Sequence, residues 1–426
     1  MSRAGAASLA PMRRRPFALL WSGSLVSNVG SWMQTVAVGA LVTANTGKAT
    51  WAVIVAAGAF LPIGILSPIG GAMADRVPRR RWLVIGNLVQ TALAAALALF
   101  VYAGDTQPWL LTVVVTGQGC VSALVFPFQT AILPDLVPRE EVLAAASLSS
   151  AQFNMGRVIG PVLAGITVAA LGYGAAFVAN AVSFLAVVLA LAFIVLPPPP
   201  GRHNNEGLWA TIRAGARETR TLPGCRAAIA LIAVVALLAS PFIALVPAMA
   251  RSLTDGSKSA VATGTAFLTT AQGVGAVTGA LLVTPLAYRF GRGRVLVGYL
   301  LAVGVALIAY DLSPSMAVAV LTLTVVGAIY IGVLSGLQTV VQLQAPIEYR
   351  GRIVSLYLVA LGVLYPIGAL IQGPLADAIG LPLTTSVAAL MLIVVIGAMV
   401  VFRPQVLASL GDASLEKVRA DEAGDD

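Results

Sequence analysis

Apolar residues run along this chain in long unbroken stretches, each cut off by a short polar segment, with none of the alternation that strands would show. About 20 apolar residues rising ~1.5 Å each cross ~30 Å of hydrocarbon, where a helix satisfies its own backbone. The pattern predicts helices over Phe17–Thr43, Trp51–Ala74, Trp82–Tyr102, Trp109–Leu133, Val142–Leu171, Tyr173–Leu196, Ala227–Ala250, Ala260–Tyr288, Val295–Tyr310, Met316–Leu343, Ile353–Ala378 and Leu383–Phe402. The chain therefore reads as an all-α polytopic membrane protein with 12 transmembrane helices. Composition strengthens this: of 426 residues, 58% are hydrophobic and 10% charged, and the mean hydropathy is +0.92. A soluble domain would carry about a quarter charged residues.

The net charge of +9 would suit a nucleic-acid binder, but its distribution argues for topology instead. With the N-terminus inside, Lys48, Arg251 and Lys258 fall on the outer side and Arg157 within a span, while every other Lys and Arg of the 26 lies on the inner side. That asymmetry orients both termini toward the cytoplasm and tests the span count, which one extra or missing helix would scramble. Met1–Arg15 is basic and the following run is too long for a signal h-region, so a retained first span is expected. Cys120, Cys225 and the single His203 make neither a disulfide framework nor a metal site, and no cofactor is expected.

The halves repeat. Shifting by 208 residues lays Glu140 over Glu348, Ser147 over Ser355, Gly160 over Gly368, Gly165 over Gly373 and Gly172 over Gly380. The expected organisation is a cytoplasmic N-terminus (1–16), a six-helix bundle (17–196), a cytoplasmic linker (197–226), a second, pseudo-symmetric six-helix bundle (227–402) and an acidic cytoplasmic tail (403–426). Two such bundles are what a rocking transporter needs, with its substrate site at their interface near mid-membrane. In the linker, Leu208, Trp209 and Ile212 share a helical face, which reads either as a helix on the membrane surface or as a plain connection.

Between the second and third spans stands Gly71-Ala-Met-Ala-Asp75-Arg76-Val-Pro78-Arg79-Arg80-Arg81. The arginines hold the turn inside, and Asp75 can pair with them or with a neighbouring helix N-terminus. The stretch resembles the major facilitator superfamily signature Gly-x-x-x-Asp-Arg-x-Gly-Arg-Arg, matching at Gly71, Asp75, Arg76, Arg79 and Arg80, with Pro78 in place of the glycine. A worn partner lies at Thr284–Arg294, where Tyr288 replaces the acid. The fifth span carries Gly156-Arg157-Val-Ile-Gly160-Pro161-Val-Leu-Ala164-Gly165. Glycines four apart let another helix approach closely. The run is similar to the antiporter signature of the superfamily's exporter branches, with Ala164 replacing one glycine.

Gly30-Ser-Trp-Met-Gln-Thr-Val-Ala, Phe153-Asn154-Met-Gly-Arg157 and Glu348-Tyr-Arg-Gly-Arg352 add to the resemblance, which points to the twelve-helix branch holding siderophore, macrolide and natural-product exporters. It spans every helix and spares the linker and tail. The resemblance implies the major facilitator fold in a bacterial inner membrane, and export, as a monomer, of a small molecule by alternating access with protons as coupling ion. Import or lipid-like flipping by the same fold is the alternative.

Arg157 is the one charged residue well inside a span. It contacts an anionic group of the substrate or gates the cavity, or else bonds to carbonyls structurally. Candidate cavity residues are Asn28, Ser31, Trp32 and Gln34 on the first span, Gln118 and Gln129 on the fourth, and Asn154 and Arg157 on the fifth. Gln272, Tyr330, Gln338 and Tyr365 line it from the second half. Neutral hydrogen-bonding groups in an apolar cavity suit a bulky amphipathic molecule. No acid lies mid-span, and Val115 stands where classical drug–proton antiporters carry an arginine, so proton coupling rests on the resemblance. Asp135, at the inner end of the fourth span, is expected to join Asp75 and Arg79 in a charge relay, as in related transporters. The absence of any clustered nucleophile, base or metal ligands argues against an enzyme.

Overall fold

The computed structural model describes residues 8–74, 77–195, 217–346 and 349–411. Among them are 12 helices long and apolar enough to cross a membrane, and no strand. They are α1 (Arg15–Thr46), α2 (Ala49–Ala74), α3 (Arg79–Tyr102), α4 (Pro108–Ala131), α5 (Val142–Leu171), α6 (Tyr173–Ala192), α7 (Pro223–Ser252), α8 (Lys258–Phe290), α9 (Arg292–Asp311), α10 (Met316–Gln344), α11 (Arg350–Ile379) and α12 (Leu381–Phe402). Asp75, Arg76, Glu348, the Leu208–Ile212 stretch and the tail beyond Gly411 lie outside the described residues.

Helix ends follow local chemistry. α7 starts four residues before its expected first residue because Pro223 sits at the first turn, where its missing N–H and fixed φ cost nothing. The same helix is broken into Pro223–Leu238 and Phe242–Ser252, since Pro241 removes a ladder donor and crowds the preceding turn. Gly172 and Gly380, 208 residues apart, hold φ of 83° and 95° and turn the chain from α5 into α6 and from α11 into α12. A side chain at either position would be strained in that left-handed region.

The helices group into two compact units. One holds α1–α6 together with Ala244–Thr270, the second segment of α7 and the first part of α8; the other holds the remainder of α7 and α8 with α9–α12. Within the first unit α1 packs on α5 and α6, α2 on α4, and α3 on α4 and α6. Its larger apolar cores lie around Leu41, Leu97, Leu111 and Phe177 and around Phe17, Leu83, Phe128 and Leu191, with a smaller one at Ala94, Ala181 and Phe184. Within the second unit α7 packs on α10 and α11, and α9 on α10 and α12. Exposed Leu99, Ile166, Leu281, Leu321 and Val401 give the helices an apolar outer surface, which hydrocarbon accepts and water does not. This is a multi-pass membrane protein.

Candidate functional site

Arg79 and Arg80 open α3 and turn to different partners. Arg79 Nη1 donates to Asp135 Oδ2 at 2.5 Å and to the Ala131 carbonyl at 2.9 Å. Both charged side chains are largely covered, at 12% and 20% exposure, so the pair is shielded from bulk solvent. Arg80 reaches the far end of α6, where its Nε donates to Leu191 O (2.8 Å) and its Nη2 to Ala192 O (3.2 Å). The Leu191 carbonyl also accepts from Ile194 N at 3.4 Å, and the cation sits at the negative end of the α6 dipole. Near this end, Arg14 pairs with Glu141 at 2.7 Å, ahead of α1 and α5. That hydrogen bond, and then the Coulomb attraction, raises the Arg14 pKa above its ordinary value. Trp21 Nε1 joins the same two helices by donating to Leu148 O at 2.9 Å.

Gly71 is open: a Cβ there would meet nothing within 4 Å. The close approach is made one residue earlier, where a Cβ on Gly70 would lie 2.9 Å from Ala123 O of α4. The match to a signature hid this position, although its glycine was plain in the sequence.

On α5, Gly156 and Gly160 seat the helix on α1: Cβ atoms there would fall 2.9 Å from Asn28 Cβ and 2.7 Å from Val29 O. Pro161 is buried within the same helix. Gly165 turns to α8, where a Cβ would come 2.9 Å from Ala266 Cβ. Arg157, next to the first glycine, holds its guanidinium carbon 5.8 Å from the centre of the Trp32 ring. Phe153 meets Trp32 edge-on at 5.9 Å. Asn154 Nδ2 donates to Ser150 O in its own helix at 2.9 Å, and Asn28 and Ser31 are half-buried.

Gln34 and Gln118 lie elsewhere, in the interior of the first unit, each 7% exposed. Gln34 Nε2 donates to Gln118 Oε1 (2.6 Å), and Asn180 Nδ2 of α6 donates to Gln34 Oε1 (2.8 Å). Gln90 Nε2 of α3 donates to Gln118 O (3.0 Å) and to Ser122 Oγ (2.8 Å). These bonds tie α1, α3, α4 and α6 together, which is how buried amides avoid a desolvation cost. Gln129 is exposed at the end of α4.

In the second unit Tyr330 is 4% exposed; its hydroxyl shares a 2.7 Å hydrogen bond with Ser240 at the α7 break, and Phe242 packs edge-on at 5.5 Å. Gln272 is 2% exposed, Tyr365 is 7% exposed and Gln338 is half-buried. Tyr357 donates to Leu334 O at 2.8 Å. Asp311, a span-end acid in the sequence, is buried in the structure, with Ser386 Oγ donating to its Oδ2 at 3.4 Å.

At the opposite end of α1 from Arg14, Arg251 Nη1 donates to Ala44 O (3.4 Å) and Gly256 O (3.2 Å), and Tyr173 Oη donates to Lys258 O (2.7 Å). Together with Gly165 against Ala266, these bonds attach Ala244–Thr270 to α1, α5 and α6 inside the first unit.

The sequence profile of the transmembrane secretion effectors matches residues 6–422. Multidrug efflux pump Tap of Mycolicibacterium fortuitum is 26% identical over 403 residues, covering 92% of this chain and 97% of that protein. Macrolide efflux protein A of Streptococcus pyogenes is 22% identical over 370 residues, covering 85% and 90%. Among solved structures, a bacterial homolog to human lysosomal transporter Spinster, inward-facing and unoccupied, matches with a TM-score of 0.72 at 17% identity, over 94% of this chain and 99% of that one. A POT family transporter in complex with 5-aminolevulinic acid matches with a TM-score of 0.73 at 14% identity, over 92% and 97%. At these identities the solved structures speak for the fold.

Proposed function

The chain belongs to the transmembrane secretion effector family of major facilitator transporters, and from that premise we propose that it exports a bulky amphipathic small molecule by alternating access, coupled to proton antiport. The observation that carries this reading is one helix crossing made twice. Gly160 of α5 lies against the Val29 carbonyl of α1, and Gly368 of α11 lies against the Leu237 carbonyl of α7. The glycines are 208 residues apart, and so are the carbonyls. One crossing repeated at a single offset in each half of the chain supports alternating access. The names of the efflux relatives support the outward direction.

In this reading the chain works as a monomer in the bacterial inner membrane, with both termini cytoplasmic. Asp75, Arg76, Arg79 and Asp135 make up the inner gate, and the Gly156–Gly165 face of α5 lets helices slide closely. Arg251 and Tyr173 hold the outer end through backbone carbonyls, bonds that break and re-form without stranding a charge.

The test is accumulation of amphipathic antibiotics and dyes in a host stripped of its own pumps. Expression lowers accumulation of at least one compound, and a proton uncoupler restores it. Higher accumulation on expression would make the protein an importer, and an effect indifferent to the uncoupler would end the proton assignment.

A further inference from the structure

We propose that Arg157, Trp32 and Phe153 form an acceptor for the anionic group of a ring-bearing amphipathic substrate, so that this protein handles aromatic anions in preference to organic cations. The proposal rests on the transport reading above and names the substrate class within it.

Arg157 sits near the middle of α5, where an arginine is costly unless it faces a polar interior. Its direction is pinned by its neighbours. Gly156 and Gly160 are pressed onto α1 at Asn28 and Val29, so the guanidinium emerges beside α1 and over Trp32, 5.8 Å from the ring centre. Phe153, one turn earlier, braces Trp32 edge-on at 5.9 Å and is itself 46% exposed. One cation and two rings thus share a partly open surface of the first unit. A planar ring packs on the aromatic edges while its carboxylate or sulfonate meets the guanidinium, whose forked donors suit such groups. The formal charge within the spans is positive, since every acid in the sequence lies in a connection, a tail or a span end. A cation entering here meets a like charge, on a ring face that Arg157 already covers.

The probes are two xanthene dyes of one scaffold and opposite charge, fluorescein and a cationic rhodamine ester, with the full chain in nanodiscs. Binding is read as the fluorescence anisotropy of each dye, against empty nanodiscs as the blank. Fluorescein binds the wild type more tightly than the rhodamine; R157Q weakens fluorescein on the order of tenfold, while R157K keeps most of the affinity. A wild type that favours the rhodamine, binds the two alike or binds neither overturns the proposal. So does an R157Q protein that holds fluorescein unchanged. Should R157Q not fold, R157K and the wild-type preference carry the test. Loss of fluorescein binding in R157Q, in a wild type that lowers accumulation of no compound in the pump-stripped host, would leave the site standing and remove the transport reading; transport without charge preference would do the reverse.

Discussion

Arg79 and Arg80 are adjacent in sequence, alike in chemistry and separate in consequence. Arg80 holds two main-chain carbonyls at the end of α6, a fixed anchor. Arg79 holds the Asp135 side chain and the Ala131 carbonyl, and a side-chain pair can be released. Asp135→Asn keeps the shape and removes the charge, forfeiting about 1.5–3 kcal/mol of charge-assisted bonding. A shift of that size moves a two-state equilibrium by about ten- to a hundredfold. The expected outcome is uphill export in vesicles falling by roughly that factor, with ligand binding retained; full uphill export by D135N would take Asp135 out of the gate. Gln34 and Gln118 teach a different lesson. An amide in a span reads equally well as a cavity wall or as a tie between helices. Only the positions of Asn180 and Gln90, which are remote in sequence, show that these two are bound into the interior.

At the scale of elements, the close crossings of α1 with α5 and of α7 with α11 depend on missing side chains. A valine at Gly160 or at Gly368 would drive a branched side chain into a backbone carbonyl, an overpacking cost of about 1–3 kcal/mol or more. Each substitution should lower the yield of monodisperse protein and its melting temperature in detergent. Gly71→Ala should change neither, because nothing lies within 4 Å of its Cβ. A Gly160→Val protein as stable as Gly71→Ala would mean that the crossing tolerates separation. The α7 break shows how far periodicity carries: the run reads as one span, yet Pro241 divides it, and Tyr330 of α10 closes over the gap through Ser240.

For the whole molecule, topology follows from counting. Lys48, Arg251 and Lys258 stand alone on one side, against a strong excess of Lys and Arg on the other. In a cysteine-free background, Lys48→Cys on intact cells should react with a membrane-impermeant maleimide, and Arg14→Cys only after the cells are opened. The opposite pattern would invert the orientation and with it the direction of export.

What the sequence determined by itself is whatever depends on a chain meeting a bilayer. Span number, helical state and the doubled plan all follow from hydrocarbon thickness, from the need to satisfy each backbone group and from a glycine spacing that recurs at one offset. What only the tertiary structure decided is which polar groups are already spent. The Gln34–Gln118–Asn180 ties, the Arg80 anchor on α6, the burial of Asp311 and the close approach at Gly70 each join residues from separate helices. Lipid tails are as apolar as leucine and give one helix little reason to prefer another, so these pairings come from short-range packing and hydrogen bonding that no single helix records.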